Sequence, residues 1–143
     1  MNKSLSLFFL LASISQSALA NEPVLDPVFG TPTSTIVAVS FPDSSTVFRP
    51  TAEQVEVLAD VQNASMITIN GRTSTNTPSI KDEALALARA VSARSWLVRR
   101  GVSPLKIMIN YVSAADFIAD NLTPEGRYEN QRVEIETIYV PTY

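Results

Sequence analysis

A chain of 143 residues with neither histidine nor cysteine has little with which to do covalent chemistry. Those absences remove the common nucleophile–base pairs and nearly all transition-metal sites, so neither a metal nor a cofactor is expected. Carboxylates, hydroxyls and arginines remain. Asp116 and Asp120 stand at i, i+4, where paired acids on one helix face could in principle work on a glycan. Acids at that spacing are far more often solvated, and the chain is expected not to be an enzyme. Arg94, Arg99 and Arg100 gather near the end of a helical stretch, where positive charge is favoured by the helix dipole. They read first as a solvated helix end and second as a contact for an acidic partner.

Several elements must position these groups. Residues 1–20 combine Lys3, an apolar stretch from Leu5 to Ile14 and Ala18-Leu19-Ala20, the small-x-small pattern of a cleaved signal peptide. The stretch is interrupted by Ser13 and Ser15 and falls short of the roughly 20 apolar residues that span a bilayer. Without a cysteine for lipid attachment, the mature chain from Asn21 is expected to be soluble in an export compartment, with no direct membrane span. Removing Lys3 leaves 10 basic against 14 acidic residues, a net charge of −4. That balance argues against nucleic acid, whose binders carry a basic face, and against nonspecific attraction to an anionic cell wall.

Residues 21–34, with Pro23, Pro27, Gly30 and Pro32, read as an irregular arm, either a spacer or a strap for a partner. Residues 35–143 read as one domain. The β-branched run 35–41 suits a buried strand. Thr51 and Gln54 have capping-box spacing, and Val55, Leu58 and Val61 extend a helix to about Gln62. A strand is expected over residues 66–70. Ser79 should cap a long helix from Ile80 to Arg100 that stops at Gly101 with Pro104 beyond, with Leu85, Ala88, Val91 and Trp96 on its core face. Strands follow at 107–112 and 132–140, with a short helical stretch between them. Strands alternating with helices in this way imply two main helices packed on one face of a mixed sheet.

The run Asn121-Leu-Thr-Pro-Glu-Gly126-Arg127-Tyr128-Glu-Asn130-Gln131-Arg132-Val133-Glu-Ile135 and the earlier Leu85-Ala-Leu-Ala-Arg89-Ala90 resemble the OmpA-like domain, a periplasmic module that grips peptidoglycan. The family reads roughly N-x-T-x-x-G-R-A-x-N-R-R-V-E-I near its end; here Tyr128 replaces the alanine and Gln131 the first arginine of the pair. The resemblance covers residues 36–135 and implies an α/β chain of α+β sandwich type. Its order is β-α-β-α-β-(short helix)-β, with a mixed four-stranded sheet and two main helices on one face.

The resemblance also implies a ligand, the meso-diaminopimelate of the peptidoglycan stem, which carries an ammonium and a carboxylate on one carbon. The family supplies the acid as the Asp of G-H-T-D-x-x-G and the base as the Arg of L-S-x-x-R-A. Arg89 matches the base and can hold a carboxylate through two parallel hydrogen bonds. Gly71-Arg72-Thr73-Ser74 puts Ser74 in place of the acid and Thr77 in place of the following glycine. Lys81 and Asp82 stand where Tyr-Asn is usual, and Tyr111-Val112-Ser113-Ala114 replaces G-x-G-E. Losing the acid forfeits about 1.5–3 kcal/mol, about ten- to a hundredfold in affinity. Asp82, about 10 Å before Arg89 along the helix axis, could substitute for it or cap the helix. Arg127 and Arg132 would order the site's loops and touch ligand, or else satisfy carbonyls and a core-edge carboxylate. The ligand residues carried over are thus Arg89, Ser74, Thr73, Asp82, Arg127 and Arg132.

Two functions follow as expectations. The first is a non-catalytic periplasmic scaffold, a subunit of a secretion, conjugation or pilus assembly, bound to envelope-complex proteins and held near the outer membrane or cell wall by those partners. The alternative is a peptidoglycan-binding protein that recognises diaminopimelate through Arg89.

Overall fold

The computed structural model describes residues 30–112 and 115–142; the expected leader and the arm up to residue 29 lie outside them. Apolar residues at every second position sort the faces of four strands: β1 (Thr33–Ser40), β2 (Met66–Arg72), β3 (Ile107–Val112) and β4 (Arg132–Tyr139). Val37, Val39, Ile67, Ile69, Val133 and Ile135 are buried along one face, because side chains alternate sides along an extended strand. The sheet runs β1-β4-β2-β3. β2 and β3 are parallel, and the last strand, β4, lies between β1 and β2, antiparallel to both. β1 begins at Thr33, two residues earlier than the sequence pattern suggests, and pairs Thr33 with Tyr139.

Helix α1 (Ala52–Val57) carries the expected capping box between Thr51 and Gln54. It ends well before Gln62 and gives way to a 3-10 turn over Val61–Asn63. The residues that enter the core here, Leu58, Val61 and Ala64, are spaced by three, and a three-residue turn stacks them on one side. Val55 is only half-buried.

Helix α2 (Ile80–Arg99) begins at Ser79, which accepts from the Asp82 N–H. It closes in a Schellman motif: Gly101 N–H donates to Val98 O at 3.1 Å and Val102 N–H to Leu97 O at 3.2 Å, with Gly101 at φ +91°. The expected core stripe is rotated. Ala86, Ala90, Ala93 and Leu97 are fully buried, whereas Val91 is 44% exposed and Leu85, Ala88 and Trp96 are half-buried. Close approach to β2 is the cause: a Cβ built on Gly71 would lie 2.2 Å from Ala86 O and 3.3 Å from Ala90 Cβ. Only small residues fit that seam, so alanines rather than the bulkier residues mark the contact face. Trp96 packs edge-on against Phe48, ring centroids 5.5 Å apart, beneath the Arg100 guanidinium. The short α3 (Pro124–Asn130) is capped by Thr123.

Gly71→Ala should cost about 3 kcal/mol, since the clash is with helix backbone that cannot step aside. Gly101→Ala, with open space but a left-handed backbone, should cost about 1 kcal/mol. Urea denaturation of the two variants checks the ranking.

Candidate functional site

The C-terminal ends of β1 and β2 and the start of β4 lie side by side, and three loops converge there. A cavity of about 340 Å³ opens at this end of the sheet. Asp43 and Asp82 supply its carboxylates; Ser44, Thr73, Ser74 and Thr75 supply hydroxyls; Leu85, Arg89 and Gln131 complete the lining. Ser44 at φ 58° and Ala115 at φ 56° are the non-glycine residues with left-handed backbone among the described residues. Ser44 lines this cavity, and Ala115 N–H donates at 2.9 Å to the carbonyl of Thr75, one of the lining residues. Strained backbone of this kind persists where surrounding structure over-determines it.

Arg89 lies at the floor with no solvent exposure. Its Nε donates to Ser45 O at 2.9 Å, Nη1 to Arg72 O at 3.2 Å, and Nη2 to Pro42 O and to Gln131 Oε1 at 3.4 and 3.3 Å. The guanidinium stands 5.2 Å from the Phe41 ring centroid. One cation therefore ties together the β1–α1 loop, the end of β2 and the entry to β4. Burial pushes its pKa down from the usual guanidinium range to about 10, while the Asp43 charge acts in the opposite sense. Because the folded value is the lower one, this group's contribution to stability would rise as pH climbs above about 10. Arg89 is charged throughout the physiological range, and the carbonyls must compensate its desolvation there.

Gln131 connects Arg89 to the rest of the cavity. While its Oε1 accepts from Arg89, its Nε2 donates to Asp43 Oδ1 at 2.8 Å and to Ser74 Oγ at 3.1 Å. Ser74 and Gln131, two positions where the sequence departs from the OmpA-like pattern, are thus in direct contact.

Four residues expected at the site, Arg89, Ser74, Thr73 and Asp82, do line one cavity. Arg127 and Arg132 do not line it. Arg127 donates to Asn121 O and Leu122 O ahead of α3. Arg132, 1% exposed, pairs with Glu134 at 2.7 Å and with Asp116 at 3.8 Å and donates to Asp116 O. Nor are Asp116 and Asp120 on a helix. Asp116 is engaged by Arg72 and Arg132, and Asp120 Oδ1 accepts from Leu122 N–H, so both carboxylates have partners within the fold.

Asp43, Ser44 and Thr75 were not foreseen, nor was the direct contact of Gln131 with Arg89. A turn signal was available in Pro42-Asp43-Ser44-Ser45 directly after β1. Nothing in the sequence said that this turn faces Ser74. Asn130 has a structural role: fully buried, it accepts from Ile118 and Ala119 N–H and donates to Ala119 O and Asn121 Oδ1. Asn121 in turn donates to Ser74 O, which holds the cavity rim.

This sheet, helix pair and loop cluster define the OmpA-like fold. The chain belongs to the OmpA family, whose model matches residues 39–131. A Brucella suis biovar 1 protein, described as a candidate outer membrane lipoprotein of a type IV secretion system, is 35% identical over 109 residues, 75% of this chain and 63% of that one. This chain thus spans under two thirds of that relative's length. The Mycobacterium tuberculosis peptidoglycan-binding protein ArfA is 39% identical over 69 residues, 48% of this chain and 21% of that one. Among solved structures, the OmpA-like domain of FopA1 from Francisella tularensis superposes with a TM-score of 0.60 at 17% identity, covering 78% of this chain and 80% of that one. Among the described residues no helix is long and apolar enough to cross a membrane.

Arg89→Met should destabilise the fold by about 3–5 kcal/mol, because it strands the carbonyls of Pro42, Ser45 and Arg72 while keeping side-chain volume. Arg89→Lys should recover only part of that, since an ammonium cannot reproduce the planar fork. Thermal melts of the two variants beside the wild type measure the order.

Proposed function

We propose that this chain is a non-catalytic periplasmic OmpA-family subunit that scaffolds a cell-envelope assembly of the secretion type. It is held close to peptidoglycan and the outer membrane through partner proteins, with its family ligand site largely given over to structure. The observation that carries this reading is the state of Arg89. Its N–H donors point at the Pro42, Ser45 and Arg72 carbonyls and at Gln131, and the residue is fully buried. A carboxylate seeking a bidentate grip must first displace these partners. The similarity to a secretion-system protein over 75% of the chain supports the choice of assembly.

A second reading, peptidoglycan binding, is favoured by one observation: Asp43 and Asp82 line the same cavity as Arg89 and restore acids beside the base after the loss at Ser74. In that case the ammonium of diaminopimelate would lie between them, and its carboxylate would take the place of the Gln131 amide oxygen on Arg89.

Co-sedimentation with diaminopimelate-type sacculi separates the two. Wild type should stay in the supernatant, and the double variant Ser74→Asp/Gln131→Arg, which restores the family's residues at two touching positions, should pellet at least tenfold better. Wild type that pellets, and is released by free meso-diaminopimelate, would move the protein to the second reading. Arg89 variants are unsuitable here, because they test folding and binding together.

A further inference from the structure

We infer that the cavity above Arg89 receives a lone ammonium group on a flexible stem, a lysine side chain of a partner protein, in preference to the ammonium–carboxylate pair of a free amino acid end. The inference rests on the scaffold reading and names the chemistry by which that scaffold holds a partner.

The charges accessible from the cavity are negative. Asp43 is exposed at the mouth and Asp82 half-buried on the helix side, while the positive charge is shielded beneath them, with Arg89 at zero exposure. Lining hydroxyls from Ser44, Ser74 and Thr75 offer oxygen lone pairs, and an ammonium carries donors without an acceptor. A carboxylate on the same carbon would find hydroxyl donors but no exposed cationic one. The Gln131 amide nitrogen is committed to Asp43 at 2.8 Å and Ser74 at 3.1 Å, and the Arg89 nitrogens face backbone carbonyls. That carboxylate would meet Asp43 and Asp82 as like charges.

Lysine suits the site better than arginine. A guanidinium wants both oxygens of a carboxylate in one plane, and Asp43 Oδ1 is already taken by Gln131. Asp82 is tied through its other face to the Ser79 hydroxyl that caps α2. A compact ammonium can instead collect single contacts from several oxygens at once. The stem of a lysine has an apolar wall to follow in Leu85, half-buried in the same lining. Side-chain entry from a partner also explains how a cavity without a working carboxylate clamp could still bind: the partner's surrounding surface supplies the remaining contacts.

The test is NMR titration of the protein purified from the periplasm of an expressing host, following the Ser74 and Thr75 amides and the Gln131 side-chain amide. The probes are Nα-acetyl-lysine methylamide, its uncharged norleucine counterpart, and meso-diaminopimelate. The lysine derivative should shift these resonances saturably. It should bind at least tenfold more tightly than meso-diaminopimelate, with norleucine inert, and Asp43→Asn and Asp82→Asn should each weaken it about tenfold while the circular dichroism spectrum stays that of the folded protein. Equal or tighter binding of meso-diaminopimelate would overturn both this inference and the scaffold reading. No response to the lysine derivative, or a response untouched by both asparagine variants, would overturn the inference alone.

Discussion

A charged guanidinium removed from water must be met by acceptors, and at Arg89 they come from three separate stretches of chain. Ser45 O and Pro42 O follow β1, Arg72 O ends β2, and the Gln131 amide precedes β4. The sheet order puts those points together, since β4 is hydrogen-bonded to both β1 and β2. Arg89 reaches them from α2 because the helix lies so close to the sheet, over Gly71. The glycine–alanine seam and the buried cation are thus one design: the first sets the height of the helix, and the second fastens the loops at its end.

The shape of the cavity follows from that fastening. With Pro42 O and Ser45 O both drawn to Arg89, the intervening turn places Ser44 in a left-handed conformation and leaves Asp43 at the rim. Gln131 then bridges Asp43 and Ser74, and Asn121 holds the Ser74 carbonyl from the other side. The polar groups are therefore committed before any ligand arrives. Preorganisation of this kind favours whatever fits the existing hydrogen bonds and penalises a ligand that must break them. Arg89, the cation of this site, is held by the protein's own acceptors.

Much of this was legible in the sequence. Alternation in β2 and β4, the capping box at Thr51 and Gln54, Ser79 as the start of α2 and Gly101 as its end all express local chemistry, which a linear reading can follow. The rotation of the α2 core face was not legible, because it depends on how near the helix sits to the sheet, and alanine is too weakly apolar to announce a contact. At the site, Arg89, Ser74, Thr73 and Asp82 could be placed by motif spacing. Asp43 could not, since it stands 46 positions before Arg89 and only the sheet topology closes that distance. Arg127 and Arg132 look equivalent to Arg89 in a motif, yet their backbone and carboxylate partners give them separate work at the α3 entry and the start of β4.

The most direct measurement of this account is NMR detection of the Arg89 side-chain Nε–H in the wild-type protein, with and without meso-diaminopimelate. A guanidinium committed to Ser45 O gives a slowly exchanging Nε–H whose resonance is unmoved by millimolar meso-diaminopimelate. An Nε–H that exchanges as fast as an exposed arginine, or that shifts and saturates with meso-diaminopimelate, would contradict the assignment of Arg89 to structure.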